Sequence, residues 1–217
     1  MLGVDPITMV VGFSLLALAP FVAVMVTSYV KLVVVFSLIR NALGIQQVPP
    51  NMVINSMAIL LTLFVMMPVG SDMLAAARAS GMTEATAVGD LTSGAIDNAA
   101  EPLKVFLRKH SNPSMRFLFV RAAAQLWGDD PDKAPDPDGF FILAPAFMLS
   151  ELTQAFQIGF LLYLPFIVVD LVISNILLAM GMMMVSPMTI SLPFKLLLFV
   201  MINGWTRVIE GLLSTYR

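Results

Sequence analysis

Apolar residues run along this chain in long blocks, separated by short polar breaks and one extended charged interval. Residues 6–30 carry no charge, nor do residues 41–71, and charges thin out again after Asp138. Asp5-Pro6 predicts a helix start, with the carboxylate as cap and proline in the first turn. The apolar stretch behind it continues through a bend at Pro20 to Tyr29. Lys31 and Arg40 then flank residues 32–39, residues 44–50 interrupt the element, and Asn51 is placed to cap the next one. A helix over residues 52–67 would reach only about 24 Å, short of a roughly 30 Å hydrocarbon core. Extending it past Pro68 costs a kink.

Between residues 72 and 138 the pattern changes. Seven Lys or Arg and ten Asp or Glu give this interval a formal charge of -3. Ile96, Ala99, Leu103, Phe106 and Leu107 recur at helical spacing, and after Asn112-Pro113 so do Phe117, Val120, Ala124 and Trp127. Two small amphipathic helices are predicted, followed by a proline-broken acidic loop over residues 128–138. From Phe140 the chain is apolar again but punctuated by Pro145, Pro165, Pro187 and Pro193. Residues 152–169 and 171–186 are the next spanning candidates. Residues 196–216 predict a further helix, with Arg207 and Glu210 spaced to pair at i,i+3. The expected fold class is all-α, built from membrane-associated hairpins of proline-broken helices. Three parts follow: N-terminal hydrophobic helices over 1–71, a small helical region over 72–138, and C-terminal hydrophobic helices over 139–217. About four membrane segments result. Lys31 and Arg40 place the first connection on the cytoplasmic side, which puts residues 72–138 outside.

Composition agrees with that pattern. The chain is 59% hydrophobic and 12% charged, against about 25% charge in a typical soluble domain. A net charge of -2 without a basic stripe argues against a nucleic-acid partner. With no cysteine there is neither a disulfide framework nor a thiol metal site. The N-terminus lacks the basic region of a cleaved signal peptide, so the first segment is expected to be retained.

No catalytic constellation emerges, and no enzyme activity, cofactor or metal is expected. The single histidine, His110, stands at a predicted helix end beside Lys109 and Ser111 and suits a surface or capping role. Asp130, Asp132, Asp136 and Asp138 resemble calcium ligands only superficially, because prolines break the spacing and the terminal glutamate is missing. Glu151, Gln154 and Gln157 are more informative, since three polar groups on an otherwise apolar helix must face protein, water or each other. They suit an assembly contact or buried polar network. Asp170 and Lys195 bracket a charge-free run of 24 residues and read as topology anchors or interfacial ion pairs. Inside that run Gly181 and Pro187 shape an interruption around Met182, Met183 and Met184. Three successive methionines spread around more than half of a helix and supply a soft apolar surface. Core or lipid-facing packing and a cavity-facing loop are both open on the residues alone.

Whole phrases carry a resemblance. Val33-Val-Val-Phe-Ser-Leu-Ile-Arg-Asn-Ala-Leu-Gly44, Gln46-Gln-Val-Pro-Pro-Asn51 and Pro145-Ala-Phe-Met-Leu-Ser-Glu-Leu-Thr-Gln-Ala-Phe-Gln-Ile-Gly159 closely resemble the SctR/FliP family. So do Pro165-Phe-Ile-Val-Val-Asp170, Met180-Gly-Met-Met-Met-Val185 and Ile190-Ser-Leu-Pro-Phe-Lys195. The resemblance implies a core export-gate component of a bacterial type III secretion system in the inner membrane. It further implies a homo-pentamer joined by SctS/FliQ-family and SctT/FliR-family subunits and by other export-apparatus proteins. This helical, cone-shaped portal projects toward the periplasm and admits unfolded secreted polypeptides. Met182, Met183 and Met184 match the loop that constricts the closed channel in that family. The absent N-terminal extension, the compact middle region and the Asp129-Asp130-Pro131 loop resemble injectisome members more than flagellar ones. A self-contained channel or small-solute transporter is the competing expectation, supported by the apolar spans and proline breaks.

Overall fold

A computed structural model describes residues 6–45, 47–80, 93–127 and 136–217. Among them the chain forms helices α1 (Pro6–Val26), α2 (Tyr29–Ala42), α3 (Asn51–Ala79), α4 (Ser93–His110), α5 (Pro113–Trp127), α6 (Phe140–Ala179), α7 (Pro187–Met201) and α8 (Gly204–Ser214), and no strand. The all-α expectation holds. Asp5, Gln46, Asp129, Asp130, Pro131 and Asp132 lie outside the described residues.

Several boundaries differ from the sequence expectations. The first interruption falls at Thr27-Ser28, with Pro20 inside α1. Helix α3 does not stop near Met67 but runs 29 residues through Pro68. The two spans expected around Asp170 are a single 40-residue helix that contains Pro145 and Pro165. A helical proline removes one donor and crowds the carbonyl four residues back, a local cost that the long apolar helices carry without stopping. Conversely, the helix expected over residues 196–216 is two, because Asn203 takes a left-handed conformation (φ 52°). Arg207 Nε donates to the Ile202 carbonyl at 3.0 Å, and its pairing with Glu210 is not formed. Asn51 does not cap α3 either. Its Oδ1 accepts from Arg40 Nη1, while the Pro50 carbonyl accepts from the Val53 and Ile54 amides.

Two helices, α3 and α6, are long and apolar enough to cross a membrane, and up to four spans result if the bent pairs are each counted as one. The chain divides into two compact units that are discontinuous in sequence. One comprises Met1–Val30 and Val69–Ser150, the other Lys31–Pro68 and Glu151–Arg217.

The first unit packs α4 and α5 with the opening turns of α6. Phe106 and Leu107 are buried with Ala123, Leu143 and Phe147, and the Phe106 ring lies 5.6 Å from that of Phe147. Ser150 Oγ accepts from the Asn112 amide at 2.8 Å, close to where α5 starts. Arg108 Nε donates to Asp138 at 2.8 Å. The stripe read on α5 is not the one this unit covers: Ala123 is buried, whereas Phe117 is 69% exposed and Ala124 is exposed. His110 packs against Phe106 with ring centroids 4.7 Å apart.

In the second unit Leu32, Val35, Phe36 and Ile39 of α2 line the core with Ile54 and Ala58 of α3 and Ala155 of α6. Period-3.6 spacing on α2 explains the choice of residues. Gly159 allows the close approach of α6 to α2, since a Cβ there would meet Leu38 Cδ1 at 2.2 Å. Phe199 of α7 and Trp205 of α8 meet edge to face at 5.4 Å, and Trp205 also reaches Phe36 at 6.1 Å.

Candidate functional site: a methionine loop between two polar knots

Helix α6 ends where its backbone says it must. The Gly181 amide donates to Leu178 O at 3.0 Å and the Met182 amide to Leu177 O at 2.9 Å. These two bonds form a Schellman motif with Gly181 in the left-handed position, φ 72°. A Cβ on Gly181 would meet nothing within 4 Å, so the requirement for glycine comes from backbone conformation alone. The Val185 amide then bonds to Met182 O at 3.3 Å. Ser186 is extended (φ -68°, ψ 118°), and Pro187 opens α7 at a position where its missing donor costs nothing. Between these two stops Met182 is 40% exposed, Met183 81% and Met184 100%. The loop is built by local chemistry, and its three side chains are uncovered in the single chain.

Two polar knots, one buried and one partly exposed, hold the helices that carry this loop. Glu151 and Lys31, each only 1% exposed, pair at 2.8 Å. Tyr216 donates its hydroxyl to Glu151 Oε2, Thr215 Oγ1 accepts from Lys31 Nζ at 3.3 Å, and the ammonium stands 4.2 Å from the Tyr216 ring centroid. Burial, then the Glu151 carboxylate, pushes the Tyr216 phenol above its ordinary range, so the hydroxyl remains a donor. In the second knot Lys195 Nζ donates to Asp170 Oδ2 at 2.7 Å and to Ala42 O at 3.3 Å. The ammonium thus satisfies a terminal carbonyl of α2 at the end where a cation is favoured.

The structure therefore joins Lys31 to Glu151 and Asp170 to Lys195. It does not join Gln154 and Gln157 to Glu151: Gln154 is half-buried, Gln157 is exposed, and neither hydrogen-bonds to the carboxylate. Arg40 clamps the following connection through Pro49 O and Asn51. Thr215, Tyr216 and the Ala42 carbonyl were not legible as site groups, because the contacts join distant parts of the chain. Among the described residues no group of three or more acidic or histidine side chains could hold a metal.

Residues 13–212 match the model of the FliP family. The chain belongs to the FliP family. It is 54% identical to the Yop proteins translocation protein R of Yersinia pestis, over 98% of this chain and 97% of that protein. Identity to the hypersensitivity response secretion protein HrcR of Ralstonia nicotianae is 49%, over the full length of both. It is 46% to the virulence protein YscR of Salmonella typhimurium, over 98% of this chain and 97% of that one. These FliP-family relatives are of the injectisome type. The chain is accordingly a membrane component of a type III secretion export apparatus and works as part of a multisubunit complex.

Proposed function

We propose that this FliP-family chain is one protomer of the export gate, and that Met182, Met183 and Met184 are its share of a deformable seal around passing polypeptide. The observation that carries the proposal is the exposure of all three side chains on a loop whose two ends are fixed. A chain of this size does not enclose a wide pore, but repetition about a symmetry axis turns one loop into a ring. Unbranched thioether side chains close against one another without a substrate and reshape around one of any sequence. Only apolar packing is needed, so the subunit performs no bond chemistry. Energy for transport comes from elsewhere in the apparatus.

The proposed assembly is a homo-pentamer with SctS/FliQ-family and SctT/FliR-family partners in the inner membrane, its cone projecting into the periplasm. The apolar side chains left exposed along α3 and α6, including Leu60, Phe64, Leu161 and Val172, are then covered by lipid or by neighbouring subunits. In this reading α4 and α5 belong to the outer helical region. Native mass measurement of the detergent-extracted complex tests the assembly. A stoichiometric complex with both partner families is expected; a monomer that conducts a small solute alone would sink it.

A further inference from the structure

A hinge and a clasp stand at opposite ends of α8. The hinge is Ile202-Asn203, where α7 and α8 bend by 60° and Asn203 holds a left-handed backbone. The clasp is the pair Thr215 and Tyr216, fastened to Lys31 and Glu151. Between them α8 has 11 residues, too few for a stable helix without outside contacts. Its docking rests on buried Val208 and Leu212, on Trp205 against Phe199 and Phe36, and on the clasp.

We propose that α8 is a hinged strap whose clasp on Glu151 and Lys31 sets the freedom of α7, and through α7 the freedom of the methionine loop. With the clasp shut, Trp205 stays against Phe199, and α7 is held there and at Lys195. Pro187, the downstream end of the loop, is then fixed. Opening the clasp withdraws the phenol from Glu151 and the ring from Lys31, but leaves the two charges paired with each other. No bare buried charge results, which keeps the open state within reach. Release of α8 removes the Trp205 contact from α7 and leaves Lys195 as the anchor nearest the loop, so the downstream end of the loop is held less firmly. The strap's meaning for export rests on the gate reading above.

Hydrogen exchange on the full chain in its detergent-extracted complex tests the strap. Tyr216→Phe keeps the ring and removes only the donor. Loss of a hydrogen bond to a charged group predicts about tenfold or more faster exchange of the α8 amides. Faster exchange is also expected over residues 182–190, with α4 and α5 unchanged. Unchanged α8 protection would overturn the clasp, and faster α8 exchange without a change at residues 182–190 would overturn its coupling to the loop. In a K31M/E151L background Tyr216→Phe should have no effect on α8; a persisting effect would show that the hydroxyl acts through a partner other than Glu151 and would overturn the clasp. Should that background not fold, the single variant still decides. A failed strap leaves substrate crosslinks at position 183 intact, whereas a failed gate removes the crosslinks and leaves the exchange pattern, so the two failures are distinguishable.

Discussion

Lys195 Nζ lies 2.7 Å from Asp170 Oδ2 and 3.3 Å from Ala42 O, so one ammonium joins α7 to α6 and to the end of α2. Asp170 and Lys195 bracket the methionine loop in sequence, and their pairing anchors both helices that carry it. Lys195 is 6% exposed and Asp170 36%, which leaves water to screen part of the carboxylate.

Lys195→Met strands that carboxylate and the Ala42 carbonyl. A loss of about 1–3 kcal/mol is expected, below the range for a fully buried pair because of the partial exposure. Thermal unfolding of the full chain in detergent reads it. The double variant D170N/K195M should lose less than the two single variants added together.

Glu151→Gln is predicted to cost more, on the order of 3–5 kcal/mol, because it leaves Lys31 charged in a site with almost no water. Combining it with Lys31→Met should recover part of the loss. Equal or greater loss in the double variant, read by the same unfolding measurement, would show that the pair does not act as a unit.

Gly181→Ala meets no steric neighbour, so its cost isolates the left-handed conformation: about 1–2 kcal/mol. Gly181→Asn should cost less, since asparagine tolerates that region. Exchange rates over residues 177–183 would rank glycine slowest, then asparagine, then alanine. Equal rates would mean that the Schellman stop does not hold the loop.

Legibility followed the range of the physics. Gly181 and Pro187 could be read as loop boundaries because helix stops are local chemistry. Met182, Met183 and Met184 stood out for the same reason. Glu151 was conspicuous as a charge in an apolar helix, yet its partner Tyr216 lies 65 residues away, and no spacing rule spans that distance. Pro68 and Asp170 misled in the other direction: the cost of a proline and of a charge in an apolar helix was visible, whereas α3 runs through Pro68 and α6 runs through Asp170, whose partner Lys195 lies on another helix. The Asn203 bend was hidden because asparagine marks a left-handed residue less plainly than glycine does. On α5 the periodic stripe through Phe117 and Ala124 was real as a pattern but is uncovered in its own unit.

Replacing Met182, Met183 and Met184 together by leucine should preserve the seal, because leucine keeps apolar bulk. Replacement by alanine should open a leak, since three side chains lose most of their reach. Ion conductance of the reconstituted complex in a planar bilayer separates the two. Equal conductance of the leucine and alanine complexes would place the seal elsewhere.

The most direct measurement is a photocrosslinker at position 183 in a complex loaded with a stalled export substrate. Because Met183 is 81% exposed on a fixed loop, the gate account predicts an adduct between this subunit and the substrate. It also predicts a much weaker adduct from position 107, where Leu107 is fully buried. No adduct from position 183, in a complex shown to hold the substrate, would contradict the gate.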